Sequence, residues 1–206
     1  MLRLWGRLNS INVQKAAWAL EELGLDYERR EAGGPFGIVD TDEYAKLNPN
    51  RLVPVLEDEG FVLWESNAIV RYLAAKHGDG TLWPRDLRVR ADADRWMDWQ
   101  TTTFSASYGA AFHGLVRTPP EKRDQAAIEA ALGKGEEKAA ILDAALADRD
   151  YVAGAEFTMG DIPTGAAAHR WLNLSPTRAR RPNLERYYAR LMERPAAQKI
   201  LTTPLT

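Results

Sequence analysis

Residues 51–73 read RLVPVLEDEGFVLWESNAIVRYL, two short apolar runs joined by a turn and followed at once by an amphipathic helix. The apolar runs cover residues 53–57 and 61–64, and the Asp-Glu-Gly sequence between them is typical of a β-hairpin. The helix covers residues 66–77, because apolar residues recur there at helical spacing and Gly78 then stops it. A hairpin followed by a helix is therefore predicted for this segment.

Strand-like and helix-like segments alternate in the residues before this hairpin. Strands are predicted at residues 2–5 and 26–32, and helices at residues 12–23 and 41–47. The resulting order is β-α-β-α-β-β-α. Strands that alternate with helices indicate an α/β layer with a parallel portion, and the hairpin adds an antiparallel edge.

The remainder of the chain has helical patterns. Helices are predicted at residues 88–113, 119–147 and 183–194, and the sequence Thr-Met-Gly-Asp at residues 158–161 is a capping box that starts another helix. We therefore predict an α/β domain over residues 1–78, a linker over residues 79–87 and an all-helical domain over residues 88–206.

The composition excludes several classes of function. The 206 residues carry a formal net charge of -2 and no basic stripe, so we predict no nucleic-acid partner. No apolar run approaches the roughly 20 residues of a membrane span, so we expect no membrane partner and a soluble, cytoplasmic protein. The chain has no cysteine, which removes disulfides and cysteine nucleophiles. Its 3 histidines are far apart in the sequence, and we predict no metal site.

The first candidate site is Ser10-Ile11-Asn12, at the start of the first predicted helix. The N-terminus of a helix leaves N–H groups unpaired and carries a partial positive charge, so it favours an anion. Serine and asparagine are also preferred helix caps, and simple capping is the alternative interpretation.

The second candidate site is Val53-Pro54, where a proline lies at the start of a predicted strand. Proline has no N–H to give to a sheet. A cis peptide bond here would leave the N–H and C=O of Val53 free to pair with an extended peptide ligand. A trans proline that opens an edge strand is the alternative interpretation.

The third candidate site is Glu65-Ser66, between the last strand and the last helix of the α/β domain. The N–H groups at the start of that helix could hold a carboxylate, and Glu65 could take an ammonium group. Together they would suit the amino-acid end of a zwitterion. The alternative is a plain N-cap beside a solvated glutamate.

In this order on a βαβαββα domain, the three candidate sites resemble those of the cytosolic glutathione transferase superfamily. The matching segments are Gly6-Arg7, residues 10–15, 48–50, 53–56, 63–66 and 68–73, and in the second domain residues 157–162. The Gly-Gly-Pro-Phe-Gly loop at residues 33–37 and the segment Leu115 to Glu121 are similar to a bacterial, non-cysteine (Ser/Asn-type) group of these transferases. The resemblance implies a thioredoxin-like N-terminal domain, an all-helical C-terminal domain, glutathione as co-substrate, no metal and a homodimer.

The resemblance also implies roles for individual residues. Ser10, or else Asn12, would face the glutathione sulfur and activate it. Val53 would pair with the cysteinyl part across a cis Pro54, and Glu65 and Ser66 would hold the γ-glutamyl end. Family members often carry Gly and then Lys or Gln before the Val-Pro pair, and here those positions are Arg51 and Leu52. Leu52 cannot grip the glycine carboxylate through its side chain, and Arg51 or Lys15 could compensate.

The second substrate would lie against the first long helix of the helical domain. The candidates by position are Trp99, Phe104, Tyr108, Phe112, His113 and Arg117. Aromatic residues at helical spacing are also typical of a core, which is the alternative interpretation.

The predicted function is conjugation of glutathione to small electrophiles, with dehalogenation or peroxide reduction as further reactions of the same thiolate. Two alternatives stay open at this point. One is a glutathione-dependent isomerase. The other is a non-catalytic interaction or regulatory module on the same fold, because function lies in the site and not in the scaffold.

Overall fold

The structure is a computed structural model that describes residues 1–175, 177–201 and 205–206. The chain divides into two compact units, Met1–Pro84 and Arg85–Thr206. The first is an α/β unit and the second is a helical unit.

The α/β unit is a four-stranded mixed sheet with three helices, in the order β-α-β-α-β-β-α. Its elements are β1 (Leu2–Trp5), α1 (Ile11–Glu22), β2 (Tyr27–Arg30), α2 (Asp42–Leu47), β3 (Val55–Asp58), β4 (Phe61–Trp64) and α3 (Ser66–His77). The strand order is β2-β1-β3-β4. β1 pairs parallel with β2 and antiparallel with β3, and β3 pairs antiparallel with β4. The predicted thioredoxin-like topology is confirmed.

Alternation along β1 explains how the sheet is covered. Leu2 and Leu4 are buried, while Arg3 and Trp5 are half-buried, because successive side chains of a strand point to opposite faces. Trp5 packs edge-on against Tyr44 of α2, with ring centroids 6.1 Å apart. The helix α2 therefore covers the face that carries Trp5.

Two predicted strands are longer than the observed ones. The strand predicted at residues 53–57 begins at Val55, because Pro54 has no N–H with which to pair to β1 or β4. The strand predicted at residues 26–32 is limited to Tyr27–Arg30, the residues that pair with β1. The hairpin register is Val55↔Trp64 to Asp58↔Phe61, which places the end of β4 beside the start of β3.

The helical unit contains six α-helices within the described part of the chain. They are α4 (Leu87–Trp99), α5 (Ser105–Phe112), α6 (Gln125–Ala145), α7 (Asp161–Leu172), α8 (Pro182–Leu191) and α9 (Pro195–Ile200). The single helix predicted at residues 88–113 is therefore wrong in detail, because a π-helical turn at Gln100–Phe104 separates α4 from α5. A second π-helical turn, His113–Arg117, follows α5. Such turns are rare in proteins, and those that occur frequently lie at functional sites.

The core of the helical unit contains a group of aromatic rings from α4, the π-helical turn that follows it, α5 and α7. Phe104 stacks on Trp99 at a centroid distance of 5.4 Å, and Tyr108 lies 5.2 Å from Phe104 and 5.6 Å from Trp171. Trp171 reaches this position because Gly135 of α6 has no side chain: a Cβ there would lie 2.3 Å from Trp171 Cζ3.

A buried carboxylate holds the start of α7. Asp161 accepts hydrogen bonds from the backbone N–H of Thr158 at 2.8 Å and of Val152 at 2.9 Å. The Thr158 hydroxyl in turn accepts from the N–H of Gly160 at 3.3 Å. The capping box predicted at residues 158–161 is present in this form, and burial raises the pKa of Asp161 to about 6.

Candidate active site

The candidate active site is an open groove that lies wholly within the α/β unit. It encloses about 300 Å³ of empty space, including its open mouth. The lining residues come from α1, the segment before β3, and the start of α3: Asn12, Asn48, Asn50, Leu52, Val53, Pro54, Glu65 and Ser66. The fold therefore brings predicted residues from all three candidate sites into one groove.

Asn12 and Ser66 are in contact, although 54 positions separate them in the sequence. Helices α1 and α3 pack against each other, and this packing places their N-termini side by side. The Ser66 hydroxyl donates to Asn12 Oδ1 at 3.3 Å. Within the described residues no hydrogen bond engages Asn12 Nδ2, so both of its N–H donors are available for a ligand.

Ser10 is the N-cap residue of α1, but its side chain makes no capping hydrogen bond. It is half-buried and is not among the residues that line the groove. The hydroxyl is therefore not committed to the capping role that was the alternative interpretation, and of the two candidates for thiol activation only Asn12 lines the groove.

The Val53–Pro54 peptide bond is cis. Within the described part of the chain, no hydrogen bond engages the backbone N–H or C=O of Val53. The carbonyl of the preceding Leu52 is held instead, because it accepts from the Tyr44 hydroxyl at 2.9 Å and from Asn48 Nδ2 at 2.8 Å. These two bonds fix the segment while the backbone groups of Val53 stay available.

Glu65 precedes α3 with φ 73° and ψ 108°, and its side chain makes no capping hydrogen bond. A non-glycine residue at positive φ is strained, and such residues cluster at ligand sites. Ser66 is the first residue of α3 and is buried to 6% exposure. The N-cap position is held by Glu65, so Ser66 is not the plain N-cap of the alternative interpretation. An exposed carboxylate therefore stands next to a helix N-terminus, whose first N–H groups have no partner within the helix itself.

The glycine end of the predicted site is built differently from the expectation. Arg51 Nη1 donates to the carbonyl of Thr41 at 3.1 Å, and Nη2 pairs with Asp42 at 3.3 Å, which holds this guanidinium at the start of α2 and outside the groove lining. Lys15 is buried to 1% exposure. Leu52 does line the groove, and its side chain is 64% exposed.

Asn48 and Asn50 also line the groove, and sequence reasoning did not nominate them as ligand contacts. Asn48 Oδ1 accepts from the backbone N–H of Asn50 at 3.0 Å and from Asn50 Nδ2 at 3.1 Å. The second Nδ2 proton of Asn50 has no partner in the part of the chain that the structure describes. The two residues belong to the Asn-Pro-Asn segment that matches the family pattern, and this match could have indicated them.

The predicted residues of the helical unit divide into two sets. Phe104, Tyr108 and Phe112 are buried to 2% exposure or less, so they belong to its core. Burial raises the pKa of Tyr108 to about 12. Trp99 is half-buried, and Arg117 is exposed.

The described residues hold neither a cluster of metal-ligating side chains nor a membrane-spanning helix. In residues 1–175, 177–201 and 205–206, no cluster of three or more metal-ligating side chains could hold a metal ion. Over the same described ranges, no helix combines the length and the apolar character that crossing a bilayer requires.

Comparison with known proteins gives the family. Residues 1–75 match the family model described as Glutathione S-transferase, N-terminal domain, and residues 101–195 match Glutathione S-transferase, C-terminal domain. The chain belongs to the glutathione S-transferase family.

This glutathione S-transferase is similar to proteins from bacteria and plants over its whole length. It is 47% identical to Glutathione S-transferase GstB of Escherichia coli strain K12, with 100% of both chains covered. It is 31% identical to Glutathione S-transferase 3 of Zea mays, with 96% of this chain and 92% of the maize protein covered.

A solved structure supports the same assignment. The chain matches the theta class glutathione S-transferase from the citrus canker pathogen Xanthomonas axonopodis pv. citri with glutathione bound, at 49% identity and a TM-score of 0.96. The match covers 100% of this chain and 99% of that chain. The family and the fold class predicted from the sequence are confirmed.

Proposed function

We propose that this transferase binds glutathione in the groove of the α/β unit and activates its thiol for attack on small electrophiles. One observation carries the proposal: the groove combines the carboxylate of Glu65, the N-terminus of α3, the unpaired backbone of Val53 and the amide of Asn12. These groups complement, in order, an ammonium, a carboxylate, a peptide unit and a thiolate. Glutathione carries all four.

The γ-glutamyl end of glutathione binds at Glu65 and Ser66 in this proposal. Its ammonium pairs with the Glu65 carboxylate, and its α-carboxylate accepts from the N–H groups at the start of α3. A helix N-terminus stabilises an anion by about 0.3–1 kcal/mol at an exposed site and by up to about 2 kcal/mol in a partly buried one. The cysteinyl unit of the ligand pairs with the backbone of Val53, as a strand added to a sheet edge would.

Asn12 activates the thiol in this proposal, and Ser10 is the second candidate. A thiol with a pKa of about 8.5 is only a few per cent ionised at neutral pH, and lowering that pKa by about two units takes roughly 2.7 kcal/mol. One hydrogen bond to a charged group supplies about 1.5–3 kcal/mol, and a helix N-terminus adds to it. The Asn12 amide, at the start of α1, is therefore sufficient in magnitude.

The glycine carboxylate of glutathione would take the available Nδ2 donor of Asn50. This donor is pre-oriented, because Asn48 holds both the backbone and the side chain of Asn50. Leu52 contributes only apolar contact there, and Arg51 is held elsewhere by Thr41 and Asp42.

The thiolate then attacks an electrophilic carbon, and a halide or another leaving group departs with the bonding electrons. Dehalogenation is this displacement on a carbon–halogen bond. Reduction of a peroxide to an alcohol requires a second glutathione, because the oxidised product is glutathione disulfide. Trp99 and Arg117 are the electrophile contacts that we propose on the helical unit, since both are accessible. We also propose that the protein is a cytoplasmic homodimer.

Isothermal titration with glutathione tests the binding proposal. Glu65→Gln should weaken glutathione binding by about tenfold or more, because it removes the charge partner of the ammonium. The matched control is Glu59→Gln, which removes the same charge from the exposed β3–β4 turn of the same unit and should leave the affinity unchanged. Failure of the unaltered protein to bind glutathione at millimolar concentration would contradict the proposal and favour a non-catalytic module.

A further inference from the structure

The groove of the α/β unit lacks a cation at the end assigned to the glycine of glutathione. The described residues that line this glycine end are Asn48, Asn50 and Leu52, and among all the described lining residues only Glu65 is charged. The glycine carboxylate of glutathione is ionised at neutral pH. It therefore meets one neutral donor, Asn50 Nδ2, and no ion-pair partner in the groove lining.

Arg51 and Lys15, the two basic residues that could compensate, lie outside the groove lining. Arg51 Nη1 donates to the carbonyl of Thr41 at 3.1 Å, and its Nη2 pairs with Asp42 at 3.3 Å. These contacts direct the guanidinium to the start of α2, where the Asp42 carboxylate offsets its charge. Lys15 is buried to 1% exposure in α1. Neither side chain therefore presents its charge to the groove.

A third basic residue, Lys46, lies on the side of α2 that faces away from the glycine end. It follows Tyr44 by two positions, which is about 200° around an α-helix. Tyr44 is buried and faces the glycine end, because its hydroxyl donates to the Leu52 carbonyl at 2.9 Å. Lys46 is therefore exposed on the opposite side of the helix.

Leu52 offers apolar contact at the position where a charge contact was expected. An ionised carboxylate that loses hydration against an apolar side chain, and gains no ion pair, is penalised more than a neutral amide. Asn50 Nδ2 can serve either group, because the carbonyl oxygen of an amide also accepts a hydrogen bond. The glycine end therefore has no strong means of favouring a carboxylate over an amide.

The glycine end is also open to solvent. The side chain of Leu52 is 64% exposed, and Asn50 is exposed as well. A substituent on an amide nitrogen at this end can extend past Leu52 into solvent without displacing a buried group. The same opening that exposes Leu52 therefore allows a ligand longer than glutathione.

We propose that this transferase accepts glutathione amides as thiol co-substrates, in which the glycine carboxylate is replaced by a free or N-substituted carboxamide. Leu52 is the specificity-determining residue, because it leaves the glycine end without a cation. The proposal rests on the proposed glutathione transferase function, since the same thiolate attacks the electrophile. It adds to that function the chemical class of the thiol.

Isothermal titration of the full chain with glutathione and with its glycine carboxamide tests the proposal, because the two ligands differ only at the glycine terminus. The unaltered protein should bind the two ligands with affinities within a factor of about three of each other. Leu52→Lys adds an ammonium at the glycine end, so it should shift the ratio of affinities toward glutathione by a factor of about three to ten. Glu59→Gln makes the same change in net charge on the exposed β3–β4 turn and should leave the ratio unchanged.

The outcomes separate this proposal from the function on which it rests. Binding of the carboxamide more than about threefold weaker than that of glutathione would overturn the proposal and leave the transferase function in place. Binding of neither ligand would overturn both. An equal effect of Leu52→Lys on the two ligands would overturn the role of Leu52. The unaltered protein alone decides the first two outcomes, so these do not depend on the folding of a variant.

Discussion

The hydroxyl of Ser66, the first residue of α3, donates a hydrogen bond to Asn12 Oδ1, near the start of α1, at a distance of 3.3 Å. This bond joins the part of the groove assigned to the γ-glutamyl end with the part assigned to the sulfur. It also orients the Asn12 amide, because a side chain whose oxygen is engaged must present its nitrogen elsewhere. Asn12 is therefore a pre-oriented donor.

The first prediction concerns thiol activation. Asn12→Ala should raise the pKa of the thiol of bound glutathione by about one to two units, because a hydrogen bond to the thiolate is lost. Turnover at neutral pH should fall by about 10- to 100-fold. Glutathione affinity should change much less. The ultraviolet absorbance of the thiolate, titrated against pH in the binary complex, measures the pKa.

Ser10→Ala is the comparison for this experiment, because the Ser10 hydroxyl also lies at the start of α1. We expect it to have the smaller effect, since Ser10 does not line the groove. If Ser10→Ala raises the thiol pKa and Asn12→Ala does not, the activating role belongs to the hydroxyl.

The second prediction concerns the glycine end of glutathione. Leu52 lines the groove and is 64% exposed, so Leu52→Lys should be tolerated. The ammonium that it adds should tighten glutathione binding by about three- to tenfold through the glycine carboxylate. Asn50→Ala should weaken it by a similar factor. Both effects should vanish with γ-glutamylcysteine, which lacks the glycine. An equal effect of either substitution on both ligands would contradict a role at the glycine carboxylate.

The sequence predicts the order of the helices and strands and the segments that line the groove. It does not predict which individual side chains point into the groove. The patterns of residues 2–5 and 66–77 identify β1 and α3 because each carries a clear period and a clear stop. The choice between Ser10 and Asn12 could not be made, because it depends on the approach of α3 to α1 and not on local pattern. The position of the Arg51 side chain could not be predicted either. Its partners Thr41 and Asp42 precede it by about ten residues, and the conformation of the intervening chain brings them together.

The helical unit shows a second limit of sequence reasoning. An α-helical and a π-helical turn differ by one residue of hydrogen-bond spacing, which the apolar pattern of residues 88–113 does not resolve. The stacking of Arg170 on the ring of Phe112 was not predicted, because Phe112 lies on another helix. Contacts between elements that are distant in sequence therefore account for what was missed in both units.

The third prediction is a dependence of stability on pH. Burial raises the pKa of Asp161 to about 6 in the folded protein, above the ordinary aspartate value of 3.8. The folded state therefore binds this proton more tightly, so its contribution to stability is complete below the unfolded pKa and is lost as pH rises through 6. Relative to Asp161→Asn, the free energy of unfolding should increase by about 1 kcal/mol from pH 7 to pH 5. Urea denaturation at the two pH values measures it, and an unchanged difference would show that Asp161 does not titrate in this range.

The fourth prediction concerns the packing of α6. Gly135→Ala would place a Cβ 2.3 Å from Cζ3 and 2.6 Å from Cη2 of Trp171, a ring that is only 1% exposed. The ring cannot move without displacing Tyr108 and Phe104, so the substitution should destabilise the folded protein by about 1–3 kcal/mol.

Gly133→Ala is the matched control on the same helix, since a Cβ there meets nothing within 4 Å. Alanine is the better helix former, so this control should stabilise by up to about 1 kcal/mol. Chemical denaturation of both variants should thus give shifts of opposite sign, and a stable Gly135→Ala variant would mean that Trp171 does not lie against α6.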